Sequence, residues 1–271
     1  MPWIPLALYC AALVGYVLHF ARHEASVGRA ATTLLVAGAL AHTFVVGMQT
    51  MEAGHVPMTS ASSAISTFVL LLVLAYLFTE MTTEERAMGA FILPLAVVLQ
   101  TIPALHPMPE VHDDVLSGPL FGIHVSSLLF AYASFALACV IGITYVLLFK
   151  EIKAKHLGFF YTRLPSLQVL DTMNQRAVVV GWVCLTIGLV AGAIFAVQVP
   201  SADPRVQGMS LQDPKIFVAL VCWAVYSFEV FAARRIGWGG RRTAYLSAVG
   251  FAIVLLNFLP ISYFLTNSHD F

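Results

Sequence analysis

Residues 120–149 read LFGIHVSSLLFAYASFALACVIGITYVLLF, thirty consecutive positions without an Asp, Glu, Lys or Arg, closed by Lys150. At 1.5 Å per residue the run reaches about 45 Å as a helix, against the ~30 Å of a bilayer's hydrocarbon core. Lipid can cover such a segment on all sides. The surplus length predicts a helix that projects out of the membrane on the side of Lys150.

Seven further apolar runs flank it, at roughly 3–20, 30–48, 61–79, 87–105, 177–199, 216–233 and 243–265. Charged residues are 10% of the 271, where soluble domains carry about 25%. Apolar residues reach 59% and the mean hydropathy is +0.86. The expectation is an all-α polytopic membrane protein, a single bundle of about eight transmembrane helices over residues 1–271. The net charge is zero, which removes the electrostatic basis for nucleic-acid binding. Cys10, Cys139, Cys184 and Cys222 stand singly in apolar runs and form no CxxC or CxxCH, so they read as small buried side chains. No basic residue precedes the run that starts at Trp3, which therefore reads as a retained helix rather than a cleavable signal.

Lys and Arg set the orientation, because they accumulate in cytoplasmic loops. With the amino terminus outside, the inner segments carry Arg22, Arg29, Arg86, Lys150, Lys153, Lys155, Arg163, Arg176, Arg234, Arg235, Arg241 and Arg242, which is 12 of the 14 basic residues. The outer segments carry only Arg205 and Lys215. Eight spans then put both chain ends outside.

In that frame His55, His106, His112, His124 and His269 fall at the outer face, and His19, His23 and His156 at the inner edge. His42 lies within the second span, six residues from its outer end and so roughly 9 Å deep. An imidazole inside a span is costly and marks a functional candidate. An interhelical hydrogen bond to Ser, Thr or a backbone carbonyl accounts for it equally well. His124 opens the fifth span, above a face of small residues, Ser127, Ala131, Ser134, Ala138 and Gly142, that ends at Tyr145; Gly188-x-x-x-Gly192 in the sixth span offers a matching surface. His269 lies three residues from the end, without the neighbouring histidines of a tag. The stretch Leu105 to Asp114 gathers His106, His112, Glu110, Asp113 and Asp114, at spacings that fit no zinc or calcium framework. Phosphate loops, HExxH and GxSxG are absent, so ligation or relay is a better reading than classical catalysis. Neutral imidazoles in a low-dielectric site suit haem iron; they also suit a proton path or a transition metal.

The order of segments resembles the cytochrome c assembly superfamily of haem-handling membrane proteins, which includes CcsA and the HemX and YpjD types. Gly54-His55-Val56-Pro57 is similar to that family's outer-loop GH-x-P. His124-Val125-Ser126-Ser127-Leu128-Leu129, with Ala131-Tyr132-Ala133, resembles its HV…L…YA helix. Leu164-Pro165 through Leu170-Asp171, followed by Gly181, Thr186, Gly188 and Gly192, is similar to its LP…LD…G…T-x-G…G segment, and Asp213-Pro214-Lys215 stands where the family closes its external motif.

The resemblance implies haem b held near the outer face, with His124 as one ligand of the iron and His269 as the second. His42 is implied as an inner or transient ligand, and His55, Asp213, Lys215 and Arg205 as secondary candidates, with Arg205 or Lys215 pairing a propionate. It also implies residence in the cell inner (plasma) membrane with a periplasmic working face, and a ResB/CcsB-like membrane partner or another cytochrome assembly protein. The chain departs from the CcsA pattern at Val206 to Asp213, which has no tryptophan, and at Ile216, where the family has glutamate. CcsA's later transmembrane histidine is missing too, with Phe231 near its position, which brings the chain nearer the HemX and YpjD branch. There are two alternatives: a membrane regulator of haem synthesis acting through residues 150–176, as the likeness to the HemX type implies, or a structural subunit of a respiratory or assembly complex without haem transfer.

Overall fold

A computed structural model describes residues 3–58, 60–107, 118–155, 158–198 and 214–256, the side chains of 214 and 215 apart. The helices among them are α1 (Trp3–Arg22), α2 (Ala25–Ala53), α3 (Ala61–Thr83), α4 (Gly89–Leu105), α5 (Pro119–Lys153), α6 (Leu167–Gln198), α7 (Pro214–Phe231) and α8 (Arg241–Leu256); a π-helical turn, Ala232–Ile236, extends α7. α1, α2, α3, α5, α6 and α7 with its π turn are long and apolar enough to cross a membrane, and α4 is a shorter apolar helix. The chain is an all-helical membrane bundle.

The helices run past the hydropathy limits wherever polar residues find partners. α6 starts at Leu167, ten residues before the apolar run at 177, because Asp171, Asn174 and Arg176 all bond to other elements. α2 runs five residues beyond 48 and stops at Gly54, whose φ of 78° is the left-handed conformation glycine adopts without a Cβ clash. Ser60 caps α3, its hydroxyl accepting from the Ser63 N–H at 3.2 Å.

α3 and α5 lie at the centre. Of their apolar windows 61% and 67% are buried, against 28% for α1, α2 and α6. On one side α1 and α2 form a tight hairpin, joined through His23 and Glu24, in which Gly15 meets Ala31 and Gly38 meets the Tyr9 ring. On the other side α6, α7 and α8 surround α5, where Phe135 stacks on Tyr226 at 3.5 Å between centroids. Lipid is as apolar as these side chains, so close approach over small residues, not water exclusion, holds the helices together.

Basic residues collect at one end. Arg86 lies against Gly28 and bonds the Thr32 hydroxyl, Arg176 donates to the Thr82 carbonyl, and Arg163 and Arg241 sit over Phe159 and Phe149. Asp171 organises the same end. Its Oδ1 accepts from the Gly240 N–H at 2.7 Å and the Thr243 hydroxyl at 3.2 Å, so a carboxylate from α6 caps the start of α8.

Candidate haem-ligand site

At the opposite end Pro119 opens α5 at the first helical position, where its missing N–H leaves no bond unmade. This sets His124 in the second turn, facing α6. His124 Nδ1 lies 2.7 Å from the carbonyl oxygen of Gly188. A carbonyl can only accept, so Nδ1 carries a proton, and in the neutral ring the lone pair is on Nε2.

Gly192 makes that bond possible. A helical side chain covers the turn before its own Cα, so a Cβ at 192 would shield the carbonyl of 188. Built there, it falls on the His124 ring. Further along, the Leu128 side chain fills the notch at Gly188 and the Phe135 ring the notch at Gly181. Steps of four and seven residues down α5 meet the same steps up α6, as antiparallel helices in contact require. The expected pairing of small faces is thus corrected: large α5 side chains enter α6 glycine notches. Gly142 instead meets the backbone of Ala244 in α8.

His42 is fully buried among the first four helices. Its Nδ1 is 3.0 Å from the Tyr9 hydroxyl and its Nε2 2.8 Å from the Ser66 hydroxyl, which also accepts from Gln100 Nε2 at 3.3 Å. Both ring nitrogens are engaged, so the interhelical bond named as one of its two readings is present. No hydrogen bond among the described residues connects His42 with His124.

The Gly54-His55-Val56-Pro57 loop folds back onto the bundle. The Thr67 hydroxyl of α3 donates to the Pro57 carbonyl, and Val56 comes within 3.7 Å of a Cβ at Gly122, two residues before His124. His55 is 7% exposed. Sequence-distant motifs therefore converge at this end. Phe121 and Phe195 add aromatic surface there, with centroids 5.5 Å apart. His269, Arg205 and Asp213, the loop from Met108 to Asp114, and the side chain of Lys215 lie outside the described residues. Among the described residues no three His, Cys, Asp or Glu side chains group as a metal cage. Of the cysteines only Cys222 is buried, and Cys10 is exposed, which corrects the expectation for that residue: a thiol is apolar enough to face lipid.

Sequence reasoning passed over two buried carboxyls. Glu80, 1% exposed, accepts from Thr32 at 2.5 Å and Tyr16 at 2.6 Å, with Arg86 Nε at 3.7 Å. Glu229, 2% exposed, bonds Ser247 at 2.6 Å. The available signal was a carboxylate inside the 216–233 run for Glu229 and one directly after the 61–79 run for Glu80.

The sequence model for "Cytochrome C assembly protein" matches residues 5–269. Similar proteins include those named cytochrome c biogenesis protein CcsA from Guillardia theta, 25% identical over 84% of this chain and 81% of its own length, and from Prochlorococcus marinus strain MIT 9303, 22% identical over 95% and 89%. The Trieres chinensis protein of the same name is 22% identical over 84% and 81%. With a match across nearly its whole length, on a bundle whose motifs meet around His124, this chain belongs to the cytochrome c assembly protein family.

Proposed function

We propose that the chain is a haem-handling protein of cytochrome c biogenesis that ligates haem b through His124, with His269 as the second axial ligand. One observation carries the reading. Donation from Nδ1 to a backbone carbonyl fixes the ring orientation and leaves Nε2 as the ligating nitrogen, the arrangement in which metal-bound histidines are commonly held. Bound haem would supply a redox-active iron, which His124 and His269 would hold, and an apolar macrocycle suited to helix faces. The chain's part is to hold the ring of His124 against α6, to offer the aromatic surface of Phe121 and Phe195, and to keep water from that end. Arg205 or Lys215 pairs a propionate, and His55 and Asp213 are secondary candidates for contact with haem.

His42 is the inner, transient ligand in this reading, and it binds iron only when Tyr9 or Ser66 releases one of its nitrogens. The clustering of cations at the far end supports a cytoplasmic location for that end. The histidine end and both chain termini then face outward from the inner (plasma) membrane, where a ResB/CcsB-like protein or another assembly factor would meet the site.

Purification from membranes without added haem tests this. A Soret band, with a pyridine haemochrome of the b type, is expected. An apoprotein that also fails to take up supplied haem would remove the proposal.

The exposed Lys150, Lys153 and Lys155 support a second reading, regulation of haem synthesis through a cytoplasmic contact. Replacing those three with glutamine would then abolish the phenotype while His124→Ala would not.

A further inference from the structure

A second polar site lies in the other half of the span, between α6, α7 and α8, apart from the residues proposed to hold haem. Its hydrogen bonds can be followed from one end. Asn174 Nδ2 donates to the Ala138 carbonyl at 2.8 Å, which fixes its other atom, Oδ1, as an acceptor. The Ser247 hydroxyl lies 3.1 Å from that Oδ1 and 2.6 Å from Glu229 Oε1. Ser247 has one proton and two acceptors facing it.

With Glu229 ionised, Ser247 satisfies one neighbour and leaves an oxygen–oxygen contact without a proton at the other. With Glu229 protonated every link is made: Glu229 donates to Ser247, Ser247 to Asn174, and Asn174 to Ala138. A buried polar group without a partner costs its full desolvation penalty, so the complete chain is the stable arrangement.

We infer that Glu229 is a reversible proton-binding site, a neutral carboxylic acid in the resting protein that exchanges with the basic end through the cavity beside it. That cavity is lined by Glu229, Gln175, Thr243 and Arg234 together with four apolar side chains. Glu229 Oε2 has no hydrogen-bond partner among the described residues. Arg234 lies in the π turn that widens the end of α7, a helix irregularity common at functional sites. Tyr226 on α7 is an electrostatic neighbour of Glu229, and Asp171 on α6 is engaged with Gly240 and Thr243.

On release the O–H bond of Glu229 breaks, the proton passes to water in the cavity, and Ser247 turns its own proton from Asn174 to Glu229. Arg234 then faces the carboxylate. Uptake reverses each movement. No oxidant or reductant is involved.

The full-length protein in lipid nanodiscs is examined by infrared spectroscopy in H₂O and D₂O, beside Glu229→Gln, whose amide still donates to Ser247. A parallel sample is treated with dicyclohexylcarbodiimide, which attacks protonated carboxyls in apolar surroundings. The expected results are a carboxylic-acid carbonyl band that shifts in D₂O and is lost in Glu229→Gln, and carbodiimide mass on the Glu229 peptide that falls as pH rises. A band identical in both proteins would overturn protonation at this residue. A band that is lost in the variant but unmoved in D₂O would overturn exchange. Labelling that sodium suppresses at constant pH would show a cation site instead.

Discussion

The Nδ1 of His124 and the carbonyl oxygen of Gly188 lie 2.7 Å apart across the α5–α6 interface, over the bare Cα of Gly192. The bond orients an imidazole that would otherwise turn about two side-chain torsions. Any side chain at 192 has to displace it.

Gly192→Ala should therefore lower haem retention at least several-fold while the protein still folds. Gly47→Ala, where a Cβ meets nothing within 4 Å, is the matched control. Haem-to-protein ratios after identical purification provide the comparison. Equal ratios in the two variants would disconnect the glycine notch from ligation.

Asp171 joins α6 to the start of α8 through two hydrogen bonds, so Asp171→Ala should cost about 1–2 kcal/mol, the range of a lost helix cap. Thermal unfolding in detergent reads this as a lower Tm, and Asp171→Asn should recover part of it. A Tm unchanged in the alanine variant would mean that the cap contributes nothing.

His42→Ala removes the central member of the Tyr9–His42–Ser66 chain and should destabilise by about 1–2 kcal/mol, the scale of interhelical hydrogen bonds in membranes. The absorption spectrum of bound haem should keep its position, because His124 and His269 remain. A spectral change without loss of stability would make His42 a resident ligand.

Most of the fold was legible because lipid imposes one rule, a long apolar run for each crossing, and the 120–149 stretch obeys it without interruption. Helix ends were less legible. The start of α6 is polar, and its helicity depends on partners 36, 94 and 69 positions away, Ala138, Thr82 and Gly240, which no local pattern reveals. His124 was readable as a candidate from its place at the mouth of a span. Its tautomer was not, since that depends on which acceptor α6 presents. Glu229 was visible as a charge in an apolar run and Glu80 as one directly after such a run, yet their meaning lies in hydroxyl groups supplied by other helices, Tyr16 and Thr32 for Glu80 and Ser247 for Glu229.

Tyr16 and Thr32 each donate to the buried Glu80 carboxylate, and Arg86, a third exposed, stands 3.7 Å away. Tyr16→Phe should accordingly destabilise by about 1.5–3 kcal/mol, the scale of a hydrogen bond to a charged group. Arg86→Gln should cost less, because its partly exposed cation is screened by solvent. Denaturant titration of both variants gives the ranking, and a larger loss for Arg86→Gln would place the main stabilisation in the ion pair.

The axial ligation of haem bound to the wild type, His124→Ala and His269→Ala, read by resonance Raman spectroscopy, tests the central claim most directly. The account predicts six-coordinate, low-spin iron with two imidazoles in the wild type. Each single variant should go to a five-coordinate, high-spin form that added imidazole returns to low spin. Unaltered bis-histidine ligation in His124→Ala would contradict it.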